Sequence, residues 1–183
     1  MSSPYPLIPD LPSLTSLFYP SRDTLGQFSE VSVDEVPEPY RQLLAHNHHM
    51  TVAVEEFHGC PVEVRVLRRQ ETDTRYAREI LLARQSDGLV VQYGIMRVNF
   101  DYLPPQVQDL IRGEQTPLGR ILIEHNILRR VQLFSLRRVE LGSELGRLFE
   151  HPVGATTYGR TAIIECNQAP AIELLEIVTP VDG

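Results

Sequence analysis

The stretch TRYAREILLARQSDGLVVQYGIMRVN, residues 74–99, decides the fold of this chain. Residues 74–84 and 88–99 read as two strands around Ser86-Asp87-Gly88, a sequence that favours a turn. The stretch therefore predicts a β-hairpin. Within the first strand, alternation places Tyr76, Arg78, Ile80 and Leu82 on one face.

Outward from this hairpin, the pattern alternates between short strands and short helices. Residues 50–58 and 61–69 alternate around Gly59, which predicts another hairpin. Helices are expected from Pro39 to just before Met50, over 104–111 and over 115–126, with a helix or loop over 141–155 and strands over 129–140, 156–166 and 170–179. Hairpin strands with a few helices indicate an α+β fold with one antiparallel sheet. The sequence contains neither G-x-G-x-x-G nor a P-loop.

The N-terminal part differs in composition from the rest. Residues 1–34 contain five prolines, with Ser and Thr between them, so little regular structure is expected there. Apolar residues in the same segment predict that it packs onto a domain formed by residues 35–183. The predicted organisation is thus one domain with a proline-rich extension.

Composition excludes several functional classes. The net charge of -7 argues against a nucleic-acid partner. No apolar run approaches the roughly 20 residues that a membrane-spanning helix needs, and no signal peptide is recognisable, so a cytoplasmic location is expected. A monomer is the simplest expectation for the oligomeric state. All 17 basic residues are arginine, which excludes lysine Schiff bases and pyridoxal-phosphate chemistry.

The cluster of His46, His48 and His49 resembles a metal site at first sight. A zinc site needs three or four ligands in a defined geometry, and the sequence offers no H-E-x-x-H and no C-x-x-C. A solvated helix end explains the cluster, and no metal or other cofactor is expected. Cys60 and Cys166 are expected to be reduced thiols, and a turn position disfavours Cys60 as a nucleophile.

Arg78 stands among apolar neighbours in its predicted strand. A buried guanidinium needs an anionic partner, because an unpaired buried charge is very costly. That partner is either a carboxylate of the protein, in a structural salt bridge, or a bound ligand.

The segment EQTPLGR, residues 114–120, is a second candidate. Thr116 as N-cap and Pro117 at the first helical position would leave the amides of Leu118 and Gly119 without intrahelical acceptors. Such amides, with the helix dipole, form a carboxylate site. The alternative is an ordinary helix start.

The last strand, AIELLEIVTP, carries two glutamates on opposite faces. Glu176 shares its face with Ile172, Leu174 and Val178, whereas Glu173 points the other way. A carboxylate on an apolar face would hold a hydroxyl or a cation. The alternative is a surface glutamate on a strand that has one solvent-exposed face.

Four pieces together resemble the chorismate pyruvate-lyase family. They are HMT at 49–51, RYAREILL at 75–82, TPLGR at 116–120 and EIVTP at 176–180. TPLGR is the most specific of them, and the resemblance covers about residues 35–180. It implies a single antiparallel sheet with helices forming flaps over a buried pocket.

The resemblance also implies a function, namely cofactor-independent conversion of chorismate to 4-hydroxybenzoate and pyruvate, as in ubiquinone or plastoquinone biosynthesis. It implies that Arg78 and the backbone amides of Met50 and Leu118 hold the carboxylate of the product. Glu176 would bind at the hydroxyl end, and Arg78 and Glu176 would be the catalytic residues. A one-residue gap in the alignment leaves Glu173 as an alternative to Glu176.

The sequence departs from the family in some places. YGIMRVNF, residues 93–100, lacks the usual glycine-arginine pair, and Arg97 is expected to take a related role. The segment between Met50 and Arg78 is shorter, and the N-terminal tail is longer. Two alternatives stay open: a non-enzymatic aromatic-acid-binding domain of the same fold, and an enzyme that forms another hydroxybenzoate isomer from chorismate.

Overall fold

The hairpin of residues 74–99 lies inside the sheet of the computed structural model, which describes residues 9–181. Its strands are β3 (Arg75–Arg84) and β4 (Val90–Asn99), and Ile80 pairs with Gly94 across them. The turn between them contains Gly88 at a φ of 76°, a backbone conformation that glycine adopts without strain. The predicted hairpin is confirmed.

Within residues 9–181, seven strands form one sheet in the order β1-β5-β6-β7-β4-β3-β2, and every neighbouring pair is antiparallel. The other strands are β1 (Gly26–Val31), β2 (Val62–Glu71), β5 (Arg129–Leu141), β6 (Thr156–Cys166) and β7 (Ala169–Val178). The six α-helices are α1 (Leu11–Thr15), α2 (Tyr40–Leu44), α3 (Met50–His58), α4 (Pro105–Arg112), α5 (Leu118–Glu124) and α6 (Ser143–Phe149). The predicted α+β class with a single antiparallel sheet is confirmed.

Helices cover both faces of the sheet. Helices α1 and α6 pack on the face that carries Ala77 and Leu81. Helices α2 to α5 lie over the opposite face, which carries Arg78, Ile80 and Leu82. Because both faces are covered, the central strands carry buried residues on both sides, and some of their charged residues, such as Arg78, Glu79 and Glu176, are buried as well.

Residues 50–58 form helix α3, so the strand predicted there is wrong. The apolar residues at 50, 52 and 54 also fit a helix, because Met50 and Val54 are one turn apart and both are buried. Gly59 follows the helix in the left-handed conformation, with a φ of 65°, as glycine does after many helices. The hairpin partner of β2 is β3 instead.

The N-terminal segment contains more regular structure than its prolines predict. Asp10 caps α1 through its side chain, and β1 pairs with β5 at one edge of the sheet. Leu11, Leu14 and Phe18 are buried. Residues 1–8 of the extension lie outside the described part, and the domain boundary after residue 34 stays a prediction.

In the described range, no helix combines the length and the apolar composition that a membrane crossing requires.

Candidate functional site

A buried cavity lies between the sheet and the N-terminal ends of α3 and α5. Strands β3, β4, β6 and β7 form its floor. Its volume is about 50 Å³. Four polar or charged side chains of the sheet line it, namely Arg78, Gln92, Arg160 and Glu176.

The four residues that the sequence resemblance singles out all line this cavity. Met50 and Leu118 are the first residues of α3 and α5, and Arg78 and Glu176 rise from β3 and β7. Glu173 and Arg97 lie elsewhere: the Arg97 guanidinium donates to the Glu173 carboxylate at 2.6 and 2.7 Å on the opposite face. Strand alternation in β7 thus leaves Glu176 as the glutamate at the cavity.

Arg78 is the charged group without a protein counter-ion. Its side chain is 1% exposed, and its one hydrogen bond runs from Nη1 to the carbonyl of Ile111 at 3.3 Å. Nε has no partner, and no carboxylate of residues 9–181 lies within 4.0 Å of the guanidinium. Burial lowers the pKa of Arg78, and Tyr76 together with the Glu114 carboxylate, which accepts from the Tyr76 hydroxyl at 3.0 Å, counteracts that shift only in part.

The N-terminal ends of α3 and α5 meet above Arg78. Pro117 is the N-cap of α5, so the prediction that Thr116 caps this helix is wrong by one residue. Neither Pro117 nor His49, the N-cap of α3, supplies a side-chain hydrogen bond to the free amides. The helices touch at Gly119, where an added Cβ would lie 3.0 Å from Cβ of His49.

Glu176 has a protein partner that sequence reasoning missed. Arg160 on β6 is 0% exposed, and its Nε donates to Oε2 of Glu176 at 2.7 Å. The same guanidinium donates to the carbonyls of His46 and His48, both at 2.9 Å. Arg160 therefore ties the cavity to the loop between α2 and α3. An arginine within the apolar run of β6 is the signal that could have found it.

Gln92 on β4 is the second cavity residue that sequence reasoning missed. It is 2% exposed, and its Oε1 has no hydrogen-bond partner among the described residues. It shares strand parity with Gly94 and Met96, which also line the cavity. That parity, applied to β4 as it was to β3, would have found it.

The histidines have structural roles at the edge of the cavity. His46 Nε2 donates to the carbonyl of Leu43 at 2.7 Å, and His49 Nε2 accepts from Arg129 Nε at 2.8 Å. Burial lowers the pKa of both imidazoles to about 4, and nearby arginines add to the shift. In residues 9–181, no group of three or more His, Cys, Asp or Glu side chains is placed to hold a metal ion.

Comparisons with known proteins give the fold. No protein-family model matches the chain, and no curated protein sequence matches it significantly. PhnF from Mycobacterium smegmatis superposes with a TM-score of 0.55 and 10% identity over 70% of this chain, which spans 62% of the PhnF chain. The separately solved effector domain of PhnF gives 0.54 and 8%, over 72% of this chain and 88% of the domain.

A third structure, described as the ligand-binding domain of a GntR-family transcriptional regulator from Bordetella bronchiseptica, gives 0.50 and 16%. The match covers 64% of this chain and 85% of that domain. At such low identity the likeness is one of fold. The fold is the chorismate lyase-like architecture found in effector domains of GntR-type regulators.

These findings overturn the predicted lyase. The matched structures are regulator, effector and ligand-binding domains. The predicted carbon–oxygen lyase activity is therefore wrong, and so are chorismate as substrate, 4-hydroxybenzoate and pyruvate as products, and a place in ubiquinone or plastoquinone biosynthesis. In the structure the carboxylate that the prediction assigned to catalysis is paired with Arg160 through Oε2.

Proposed function

We propose that this chain is a non-enzymatic ligand-binding domain that takes a small aromatic acid into the buried cavity. The observation that carries the proposal is Arg78, a cation that is 1% exposed at the cavity and has no protein carboxylate within 4.0 Å. An unpaired buried charge is strongly destabilising. A ligand carboxylate would compensate that charge, and the effective attraction is large because water is excluded.

The backbone adds donors beside Arg78. Met50 and Leu118 open α3 and α5 at the cavity, and neither helix start is capped by a side chain. Their amides and the positive ends of the helices favour the same anion as the guanidinium. We therefore assign the carboxylate of the ligand to Arg78 and to the amides of Met50 and Leu118.

Glu176 lies at the other end of the cavity. Arg78 pairs with Met96 of β4, whereas Glu176 pairs with Gly94, which is two residues before Met96 on the same strand. The two Cα atoms are thus separated by roughly 7 Å along the strands and roughly 10 Å across them. Two inward-pointing side chains at that separation would face each other across a ring that has entered between them. Glu176 would accept a hydrogen bond from a ring hydroxyl.

The size of the cavity sets a condition on binding. A volume of about 50 Å³ holds only a few water molecules, at about 10–15 Å³ each. An aromatic acid therefore enters only when α3 and α5 separate, and their contact at Gly119 and His49 is the place where they do so. Effector domains commonly change shape with their ligand, so this condition suits a sensor.

The comparisons support binding over catalysis. An effector domain and a ligand-binding domain share the fold of this chain. By analogy, occupancy of the cavity would alter the helices above it and so report the ligand to an attached or associated partner.

The test is a calorimetric titration of the purified chain with 4-hydroxybenzoate. Arg78→Met should weaken binding by about 100-fold or more, because it removes a charge-assisted contact. Arg75→Met is the matched control, since Arg75 is an exposed arginine on the same strand. Incubation with chorismate should release no pyruvate.

Equal affinity in the wild type and Arg78→Met would overturn the proposed site. Pyruvate release above the uncatalysed rate, lost in Arg78→Met but kept in Arg75→Met, would contradict the non-enzymatic assignment.

A further inference from the structure

Gln92 is the polar side chain of the cavity that neither a structural nor a binding role yet explains. Its carboxamide makes no hydrogen bond with residues 9–181, although the side chain is 2% exposed. Its partners across β3 and β7 are Leu82 and Val178, both apolar. A buried carboxamide without a partner destabilises a fold, so packing alone would favour leucine at this position.

The sheet register places Gln92 at the Glu176 end of the cavity. Gln92 pairs with Val178 on β7, and Glu176 is two residues before Val178 on that strand. Residues in such a diagonal relation lie roughly 7–8 Å apart, within reach of two long side chains that converge on one ligand. Arg78 is remote from Gln92, because its partner Met96 lies four residues further along β4.

Glu176 has one oxygen left for a ligand. Oε2 accepts from Arg160, whereas no hydrogen bond from residues 9–181 reaches Oε1. The Glu176 end of the cavity thus presents a free carboxylate oxygen beside an unpartnered carboxamide. A single phenolic hydroxyl would satisfy the first of these groups and leave the second unpaired.

We propose that Gln92 is a specificity-determining residue, and that the preferred ligand is an aromatic acid with two adjacent hydroxyl groups opposite its carboxylate. One hydroxyl donates to Oε1 of Glu176, and the neighbouring hydroxyl pairs with the Gln92 carboxamide. A hydroxyl both donates and accepts, so it satisfies either orientation of the amide. This inference rests on the proposed function, because it adds a second contact to the same site.

The test compares the affinities of 3,4-dihydroxybenzoate and 4-hydroxybenzoate for the same protein by calorimetry. The wild type should bind the dihydroxy acid about tenfold more tightly, as one added buried hydrogen bond implies. Gln92→Leu keeps the side-chain volume and removes the polar group, so it should abolish that preference. Gln106→Leu is the matched control, since Gln106 is exposed on α4.

Each outcome separates this inference from the proposed function. If neither acid binds the wild type, the proposed function fails and the specificity role fails with it. If 4-hydroxybenzoate binds in an Arg78-dependent way but the wild type shows no preference, the role of Gln92 alone is overturned. Gln92→Met is a second variant without the carboxamide, in case Gln92→Leu does not fold. A preference for the dihydroxy acid that survives in both Gln92→Leu and Gln92→Met also overturns the role of Gln92. The comparison of the two acids in the wild type depends on neither variant.

Discussion

Arg78 and Glu79 are neighbours in β3 with opposite charges, opposite faces and opposite surroundings. Each is 1% exposed. Glu79 accepts hydrogen bonds from Tyr19, from Tyr93 at 2.7 Å and from Arg68 at 2.7 Å. Arg78 donates one hydrogen bond, to a backbone carbonyl at 3.3 Å.

The difference separates a structural charge from a functional one. The protein itself compensates Glu79, and through Tyr19 and Arg68 that carboxylate fastens the segment after α1 to the sheet. Arg78 receives less from residues 9–181: one hydrogen bond to the Ile111 carbonyl and a partial, more distant compensation by Tyr76 and Glu114, with no carboxylate within 4.0 Å. Burying a charge is costly on either face of the sheet. A ligand is therefore expected on the face that carries Arg78, where no protein carboxylate pairs with the buried charge.

The largest expected change in the free energy of unfolding follows the loss of Glu79, the buried charge that the protein itself compensates. Glu79→Ala leaves two buried tyrosine hydroxyls without an acceptor and the half-exposed Arg68 without its counter-ion. We expect a loss of about 3–5 kcal/mol of unfolding free energy, most of it from the two hydroxyls. Urea denaturation measures it. Glu63→Ala is the control, because the Glu63–Arg65 pair is exposed and should change stability by less than about 1 kcal/mol. Similar losses in the two variants would contradict the structural role.

The next largest effect is a pH dependence of the free energy of unfolding, which arises from His49 at the edge of the cavity. Burial lowers the pKa of His49 to about 4. The unfolded chain, with an ordinary imidazole pKa near 6.5, therefore binds more protons as the pH falls from about 6.5 to about 4. Stability should be complete above this window and should decline within it, by on the order of 3 kcal/mol for His49.

Denaturation at a series of pH values tests this dependence. His49→Gln should flatten the decline, whereas His125→Gln, an exposed control, should leave it unchanged. His46, whose pKa is also lowered to about 4, keeps part of the decline in the His49 variant. An undiminished slope in His49→Gln would show that Arg129 does not hold a neutral imidazole there.

A smaller effect of opposite sign is expected at Arg78. Arg78→Met removes an uncompensated buried cation, so the free protein should gain about 1–2 kcal/mol of unfolding free energy. Saturating 4-hydroxybenzoate should reverse the order, because a ligand at 100 times its dissociation constant adds about 2.7 kcal/mol to the wild type alone. Loss of stability in ligand-free Arg78→Met would place Arg78 with Glu79 as a structural charge.

The sequence predicts the sheet better than the surroundings of its charges. Strand alternation places Arg78 and Glu176 each on an apolar face of its own strand, because a period of two specifies the face whatever the partner strand. That the two faces meet in one cavity was implied by the family resemblance and not by the alternation. The same rule applied to β4 and β6 would have found Gln92 and Arg160. The pairing of Arg160 with Glu176 needs the strand order, which no local pattern contains.

Two other errors arise where local patterns are ambiguous and long-range pairing decides. Residues 50–58 satisfy both a strand and a helix period over a short range, and the long-range choice of β3 as the partner of β2 decides between them. Of the N-terminal prolines in the described range, Pro9 and Pro20 lie outside regular elements, yet residues 26–31 still form an edge strand because β5 offers a free edge. Tertiary context overrides composition in both cases.

The smallest expected effect concerns the contact that closes the cavity. A Cβ at residue 119 would lie 3.0 Å from Cβ of His49 and 3.1 Å from Oγ1 of Thr51. Gly119→Ala must push α3 and α5 apart by a few tenths of an ångström, at a cost that the better helix propensity of alanine offsets by about 1 kcal/mol. Net stability should therefore change by no more than about 1 kcal/mol.

Ligand kinetics are the sensitive readout of this substitution. Because an aromatic acid enters only between the separated helices, Gly119→Ala should raise the association rate of 4-hydroxybenzoate in stopped-flow measurements. Gly113→Ala is the control, since an added Cβ there meets backbone atoms of its own helix at 3.4 Å and lies away from the cavity. An unchanged association rate in Gly119→Ala would mean that the ligand reaches Arg78 by another route. The cavity on the Arg78 face of β3 would then have to open at a place other than the contact between α3 and α5.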